Sequence, residues 1–157
     1  MIVKGILDED FVNYKEPSMF IAFPRCNWKC ERECGRKICQ NSLLAASPDI
    51  EVSYEEIYNR FIENNITSSI VCGGLEPLDT LNDLLGLIDY FRNKGNNSTF
   101  VIYTGYTEEE AYDDILLLAK NKNIIIKFGR FVPNREPHFD KVLGINLASD
   151  NQYAKTY

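Results

Sequence analysis

Residues 19–42 read MFIAFPRCNWKCERECGRKICQNS, an apolar run that empties into a loop holding four of the chain's five cysteines. Cys26, Cys30, Cys34 and Cys39 fall within fourteen residues, and the fifth is Cys72. Thiols at this density are disulfide-bonded, metal-bound or reactive, because four inert ones in a single loop would be an odd coincidence. The run at 19–23 predicts a short buried strand. A polar loop at the C-terminal end of a parallel strand is where α/β folds build their sites. The stretch therefore predicts both a fold class and the edge of the sheet that carries chemistry.

Outward from it, the same unit recurs. Ser53 with Glu56 forms a capping box, and Tyr54, Ile57, Tyr58, Phe61 and Ile62 keep helical spacing up to Asn64-Asn65. A β-branched run at 68–72 predicts a strand ending in Gly73-Gly74-Leu75-Glu76-Pro77. Leu81, Leu84, Leu85, Ile88 and Phe91 then mark a helix that stops at Gly95. Residues 99–103 predict another strand, followed by Thr104-Gly105-Tyr106, a second capping box at Thr107 and Glu110, and a helix presenting Ala111, Ile115, Leu118 and Ala119. A strand at 123–127 leads into Phe128-Gly129-Arg130-Phe131. An edge strand among residues 2–7, helical turns at 41–46, a last strand at 142–145 and a polar C-terminal end complete the reading. Runs of Ile and Val buried on both faces suit a parallel sheet. A full eight-fold barrel needs about 250 residues. The expectation is therefore an α/β fold, an open partial barrel with a mostly parallel sheet, in one domain spanning residues 1–157.

Composition narrows the function. Apolar residues make up 45% of the 157, as in ordinary globular chains, and no run approaches the roughly 20 residues of a membrane span. The start MIVKGILDED lacks the apolar centre of a signal peptide, so a cytoplasmic setting is expected. Five cysteines in a reducing compartment favour metal or redox chemistry over a disulfide framework. A net charge of −6 argues against a general nucleic-acid binder. Locally the sign reverses: Arg25, Lys29, Arg32, Arg36 and Lys37 crowd the cysteine loop, and positive charge beside thiolates favours an anionic cluster or substrate.

Cys26 and Cys30, with three residues between them, reach one cluster from a curling loop without helical geometry. A third thiolate from Cys34 or Cys39 would give a four-iron cluster three protein ligands and one iron free for a substrate. Electron carriers instead use four cysteines per cluster. A structural zinc in four-cysteine coordination is the bland alternative, although its ligand pairs are usually more widely separated. Gly73-Gly74 allows close approach of a ligand to the backbone, where exposed amides bind carboxylates, and Glu76 adds a carboxylate suited to an ammonium group. An ordinary strand-to-helix turn accounts for these residues equally well. The lone histidine, His138, reads as a surface or packing residue.

Cysteine loop and Gly-Gly-Leu-Glu-Pro-Leu, in that order after successive strands, resemble radical S-adenosylmethionine enzymes. Residues 102–107, Ile-Tyr-Thr-Gly-Tyr-Thr, are similar to the small activating proteins of anaerobic ribonucleoside-triphosphate reductase. Gly129-Arg130-Phe131 and Ser149-Asp150-Asn151-Gln152 resemble the closing motifs of those proteins, in register over roughly residues 18–152. Two departures stand out: the third cysteine is displaced, and Leu75 is an extra residue within the Gly-Gly-Glu-Pro pattern. The resemblance implies a [4Fe–4S] cluster and S-adenosylmethionine as cofactors. Gly73, Gly74 and Glu76 would hold the methionine end, with Thr104 near the ribose. It implies radical generation that activates a glycyl-radical enzyme, anaerobic ribonucleotide reductase first, with a flavodoxin or ferredoxin as electron donor. A radical enzyme for another peptide or small substrate, and a non-catalytic iron–sulfur electron-transfer or redox protein, are the alternatives. It also bears on the third ligand. Ile38 before Cys39 and Asn41 two residues after it resemble the family's pattern, so Cys26, Cys30 and Cys39 are the expected ligands. Residues 31–38 become an insertion, and Cys34 a spare thiol.

Overall fold

The computed structural model describes residues 1–157. Its elements run β1 (Ile2–Val3), β2 (Gly5–Asp10), β3 (Ser18–Phe23), α1 (Lys29–Cys34), α2 (Ser42–Ala46), β4 (Ile50–Glu51), α3 (Tyr54–Glu63) and β5 (Ser69–Gly74). A 3₁₀ turn (Pro77–Thr80) then precedes α4 (Leu81–Asn93), β6 (Thr99–Tyr103), α5 (Tyr112–Leu118), β7 (Ile124–Phe128), β8 (His138–Asp140), β9 (Ile145–Leu147) and β10 (Tyr153–Thr156). The main sheet has six strands in the order β10-β7-β6-β5-β3-β2. Its four central strands are parallel, and the edge strands β2 and β10 are antiparallel to their neighbours. The expected mostly parallel α/β sheet is present.

Each connection from β3 to β5, β6 and β7 moves one strand in the same direction across the sheet. Parallel crossovers share one hand, so all the connecting helices fall on one face. That face holds the larger core, where Ile57, Leu84, Leu87, Ile88, Phe91 and Leu118 meet Ile21, Ile70, Ile102 and Ile126. Phe91 anchors it, with edge-on contacts to Tyr58 (5.0 Å) and Phe100 (5.3 Å); each such pair contributes about 1 kcal/mol beyond burial. On the opposite face Val71, Val101 and Ile125 are covered by Tyr14, Leu143 and Leu147. Half of the first capping box forms, Ser53 Oγ accepting from the Glu56 amide, whereas Thr107 and Glu110 exchange side-chain and backbone bonds around a turn that precedes α5. Gly95 follows α4 at φ 77°, the left-handed position that ends a helix without a Cβ penalty.

Three expectations change. The cysteine loop is not free of helix, because Cys30 and Cys34 sit one turn apart on α1, which Gly35 ends at φ 68°. The strand expected at 142–145 is largely a turn inside the β8–β9 hairpin. Asp140 makes it so: its Oδ1 accepts the amides of Val142 (2.9 Å) and Leu143 (2.8 Å), folding an apolar pair into a bend. The C-terminal end, polar in composition, forms edge strand β10 against β7, since only Ala154 of it faces the core. His138 lies half-buried on β8.

Asp140 is only 7% exposed, and its Oδ2 also accepts the Ala154 amide at 2.9 Å, so one carboxylate joins hairpin to edge strand. Asp140→Ala leaves these amides without partners and is expected to cost about 3 kcal/mol, read by urea denaturation. A loss below about 1 kcal/mol would show that the hairpin does not depend on it.

Candidate functional site

The loops after β3, β5, β6 and β7 share one edge of the sheet and surround a cavity of about 560 Å³. Its floor is set by strand register. Ala22, Gly73, Tyr103 and Lys127 occupy one row across the four central strands, on the face opposite the helices. A side chain at Gly73 would approach the Phe20 ring to 3.0 Å, and one at Gly74, whose φ is 82°, would meet the Ala22 backbone at 2.9 Å. Gly74 therefore needs glycine, while a side chain at Gly73 would require the Phe20 ring to shift.

Cys26, Cys30 and Cys39 all line this cavity; Cys34 does not. The chain arranges this through backbone bonds. Parallel pairing of β3 with β5 continues beyond both strands, with the Leu75 amide on Phe23 O (3.3 Å) and the Glu76 amide on Arg25 O (2.7 Å). Asp79 then takes the Asn27 amide (2.7 Å) and the Tyr106 hydroxyl (2.6 Å), tying the loop to two neighbours. The returning limb is fixed by Glu31 Oε1, which accepts the Ile38 and Cys39 amides (3.2 and 3.1 Å), and by Asn41, which donates to Gly74 O. Outside these bonds runs an ion network: Lys29 pairs with Glu110, and Arg130 bridges Glu110 (2.6 Å) and Glu33 (3.3 Å). Burial pushes the Glu110 carboxyl up, but hydrogen bonds from Arg130 and Lys29 outweigh it and hold the group at about 2.

Burial raises the thiol of Cys26 to about 11 and that of Cys30 upward as well, with Cys39 adding its field to Cys30. Amides oppose this, the Trp28 N–H lying 3.3 Å from Cys26 Sγ. Such thiols are poor free nucleophiles and are deprotonated only when a cation binds. No three His, Cys, Asp or Glu side chains converge as closely as one metal ion requires. A lone zinc holds its thiolates about 2.3 Å from a single point, whereas a cluster gives each thiolate its own iron and so keeps them farther apart.

The residues expected at the other end are here too: Gly73, Gly74, Glu76 and Thr104 all line the cavity. Glu76 is 6% exposed, and its oxygens accept the Leu78 amide (3.2 Å) and the Gly105 amide (2.8 Å). Burial raises its carboxyl to about 7, against hydrogen bonds from Gly105, Thr104 and Leu78. Its first task is thus to lock two loops together. Thr104, 2% exposed, accepts the Tyr106 amide through Oγ1. Asp79, which has no motif of its own, and Lys127 were not singled out in the sequence, while Asn41 and Arg130 were named only as parts of motifs and not for the bonds they make here. The signal for Lys127 was visible: a cation inside the otherwise apolar strand Ile124–Phe128.

Residues 18–152 match the family described as the 4Fe-4S single cluster domain. The chain belongs to that family. It is an iron–sulfur protein, and a four-iron cluster replaces the zinc alternative. Neither the curated proteins nor the solved structures contain a match. No helix is long and apolar enough to cross a membrane.

The cavity fits the group: three thiols share its wall, with amide donors beside Cys26 and Cys30. Cys39→Ala is expected to abolish the four-iron absorption after anaerobic reconstitution, while Cys34→Ala keeps it. The reverse result would exchange the two, and loss in both would mean a four-cysteine cluster.

Proposed function

We propose that this protein is a radical S-adenosylmethionine enzyme of the glycyl-radical-activating kind. The observation that carries the reading is the shared cavity. Three cysteines, and not four, meet there with Gly73, Gly74, Glu76 and Thr104. An electron carrier has no use for a recess of this size beside its cluster, whereas 300–1,000 Å³ is the usual range for small-molecule sites. A bound four-iron cluster would supply the single electron needed for reductive cleavage of a sulfonium.

The chain's own residues bind, orient and exclude water. Cys26, Cys30 and Cys39 would hold the cluster. The backbone at Gly73 and Gly74 lets the methionine end lie against the sheet edge. Glu76 has committed lone pairs to two amides, and a carboxylate offers about four sites, so acceptor capacity remains for an ammonium group. Thr104, buried beside it, would lie near the ribose. Ile38 and Leu44 on the rim contribute apolar surface that keeps water from the reacting carbon. The one-sided placement of the helices, with an open sheet, suits an arc of a barrel whose uncovered rim receives a macromolecular substrate. In this reading a glycine of a large partner, anaerobic ribonucleotide reductase first, enters at that rim, and a flavodoxin or ferredoxin supplies the electron.

Reconstituted anaerobically, reduced and given S-adenosylmethionine, the protein is expected to release 5′-deoxyadenosine. Mixed with an anaerobic ribonucleotide reductase, it should also produce a glycyl-radical paramagnetic signal. Cluster reduction without 5′-deoxyadenosine would identify an electron carrier instead. 5′-Deoxyadenosine without the glycyl signal would replace the partner, not the chemistry.

A further inference from the structure

Residues 31–37, most of the detour between Cys30 and Cys39, join neither core cluster and line no part of the cavity. Helix α1 buries no residue, and neither does α2 after it. Within this segment the charges are sorted. Glu31 accepts the Ile38 and Cys39 amides, and Glu33 pairs with Arg130 and Lys29. Both acids are thereby committed, whereas Arg32, Arg36 and Lys37 are exposed and make no ion pair. Of the chain's seven arginines, Arg25, Arg60, Arg130 and Arg135 bond to carboxylates and Arg92 to backbone carbonyls. The guanidinium groups of Arg32 and Arg36 alone have no partner. Each presents five donors in a fixed fork that suits a carboxylate. Trp28 stands one turn before Arg32, and its carbonyl accepts the Arg32 amide at 3.1 Å. Its ring also belongs to neither core cluster nor the cavity wall. Tryptophan and arginine are the residues on which affinity between proteins most often concentrates.

We propose that Trp28, Arg32, Arg36 and Lys37 form the docking face for an acidic one-electron carrier protein, which reduces the cluster through the wall of the cysteine loop. Charge selects the partner. On a chain of net charge −6, these unpaired cations raise a local positive field that an acidic surface matches and a second copy of this chain, acidic elsewhere and basic here, does not. Position favours the carrier over the glycine-bearing partner. A glycine must enter the cavity, whereas this face lies outside its wall and leaves the rim free while the carrier is seated. The face also adjoins the cluster ligands: the Trp28 amide donates to Cys26 Sγ at 3.3 Å, and Arg32 follows Cys30 by two residues. Electron transfer between proteins falls steeply with distance, so a carrier seated here works at a rate that one at the far edge of the sheet would not reach. The step moves one electron and nothing else: the carrier is oxidised by one electron, the cluster is reduced by one, and no bond or proton changes place. That the electron is used on a sulfonium rests on the radical reading; the face itself does not, and is tested without S-adenosylmethionine.

The test measures binding of a strongly acidic flavodoxin and of a strongly acidic [2Fe–2S] ferredoxin to the cluster-loaded protein by calorimetry. Cluster reduction by each reduced carrier is followed in stopped flow. At least one carrier is expected to bind at low ionic strength, to lose affinity steeply as salt is added, and to protect the amides of residues 28–38 from hydrogen exchange. Combined Arg32→Glu, Arg36→Glu and Lys37→Glu is expected to weaken that binding and slow that reduction by about tenfold or more. Photoreduced 5-deazariboflavin, a small uncharged reductant, should reduce the same variant at the wild-type rate. Combined Lys94→Glu, Lys120→Glu and Lys122→Glu makes the same change of charge in the loops before β6 and β7, on lysines without ion pairs, and should leave binding within about threefold. No binding by either carrier, binding indifferent to salt, or protection confined to other residues overturns the face. An equal loss in the second variant also overturns it, because the effect is then one of net charge. Protection of residues 28–38 by an anaerobic ribonucleotide reductase that neither carrier displaces assigns the face to the glycine-bearing partner and overturns the carrier. Salt dependence and exchange are read on the wild-type chain, so they decide the matter even if the charge-reversed loop loads its cluster poorly. Absence of 5′-deoxyadenosine with the deazaflavin as reductant, beside an intact carrier effect, removes the radical reading and leaves the face standing.

Discussion

The amide of Glu76 donates to the carbonyl of Arg25 at 2.7 Å, one residue before the first cysteine of the site. This bond extends the β3–β5 ladder past the end of both strands, and the site depends on it. A parallel ladder fixes register along its whole length, because a slip by one residue would turn every side chain to the other face. Pinned there, Cys26 has no choice of side, and Glu76 is delivered to the amides of Leu78 and Gly105. The cysteine loop, the glycine turn and the Thr104 loop are thereby held together before any ligand arrives. Such preorganisation would serve the radical chemistry proposed above, where a displaced carbon reacts with the wrong hydrogen donor.

The return of Cys39 is a different kind of constraint. Residues 31–38 form a detour that a loop tolerates at small entropic cost, yet it would leave Cys39 wandering. Glu31, on α1, holds the two amides Ile38 and Cys39 with one carboxylate oxygen. The short helix thus supplies Cys30 and, one residue later, the anchor for the third cysteine. Cys34, one turn further on the same helix, falls outside the cavity wall. Arg130 and Lys29 close the exterior with Glu33 and Glu110. Arg25 pairs with Asp49, and the loop's other cations, Arg32, Arg36 and Lys37, make no ion pair.

Much of this was readable from residues alone, for definite reasons. Central strands such as SIVCGG and IIIKF are continuous apolar runs because both their faces are covered, and capping boxes mark helix starts by local bonds. The cavity residues were legible because four cysteines crowd one loop and because the glycine turn and the Thr-Gly-Tyr loop follow it in the order of a known family; the glycine turn alone reads equally well as a strand-to-helix connection. What escaped was nonlocal. The β8–β9 hairpin is bent by Asp140 reaching two amides and a third from β10, a bond fourteen residues away. Strand β10 has edge alternation with a single buried side chain, Ala154, too weak a pattern to stand out. Helix α1 forms within a cysteine spacing that equally suits a coil, and Lys127 reads as noise until register places it in the cavity row.

The central claim is a four-iron cluster bound by three thiolates, with its fourth iron open to the cavity. Mössbauer spectroscopy of ⁵⁷Fe-reconstituted protein tests this most directly, recorded before and after S-adenosylmethionine is added. The account predicts that one iron of the four changes its isomer shift on addition while three stay as they were. A spectrum with four equivalent thiolate-bound irons, unaltered by S-adenosylmethionine, would contradict it.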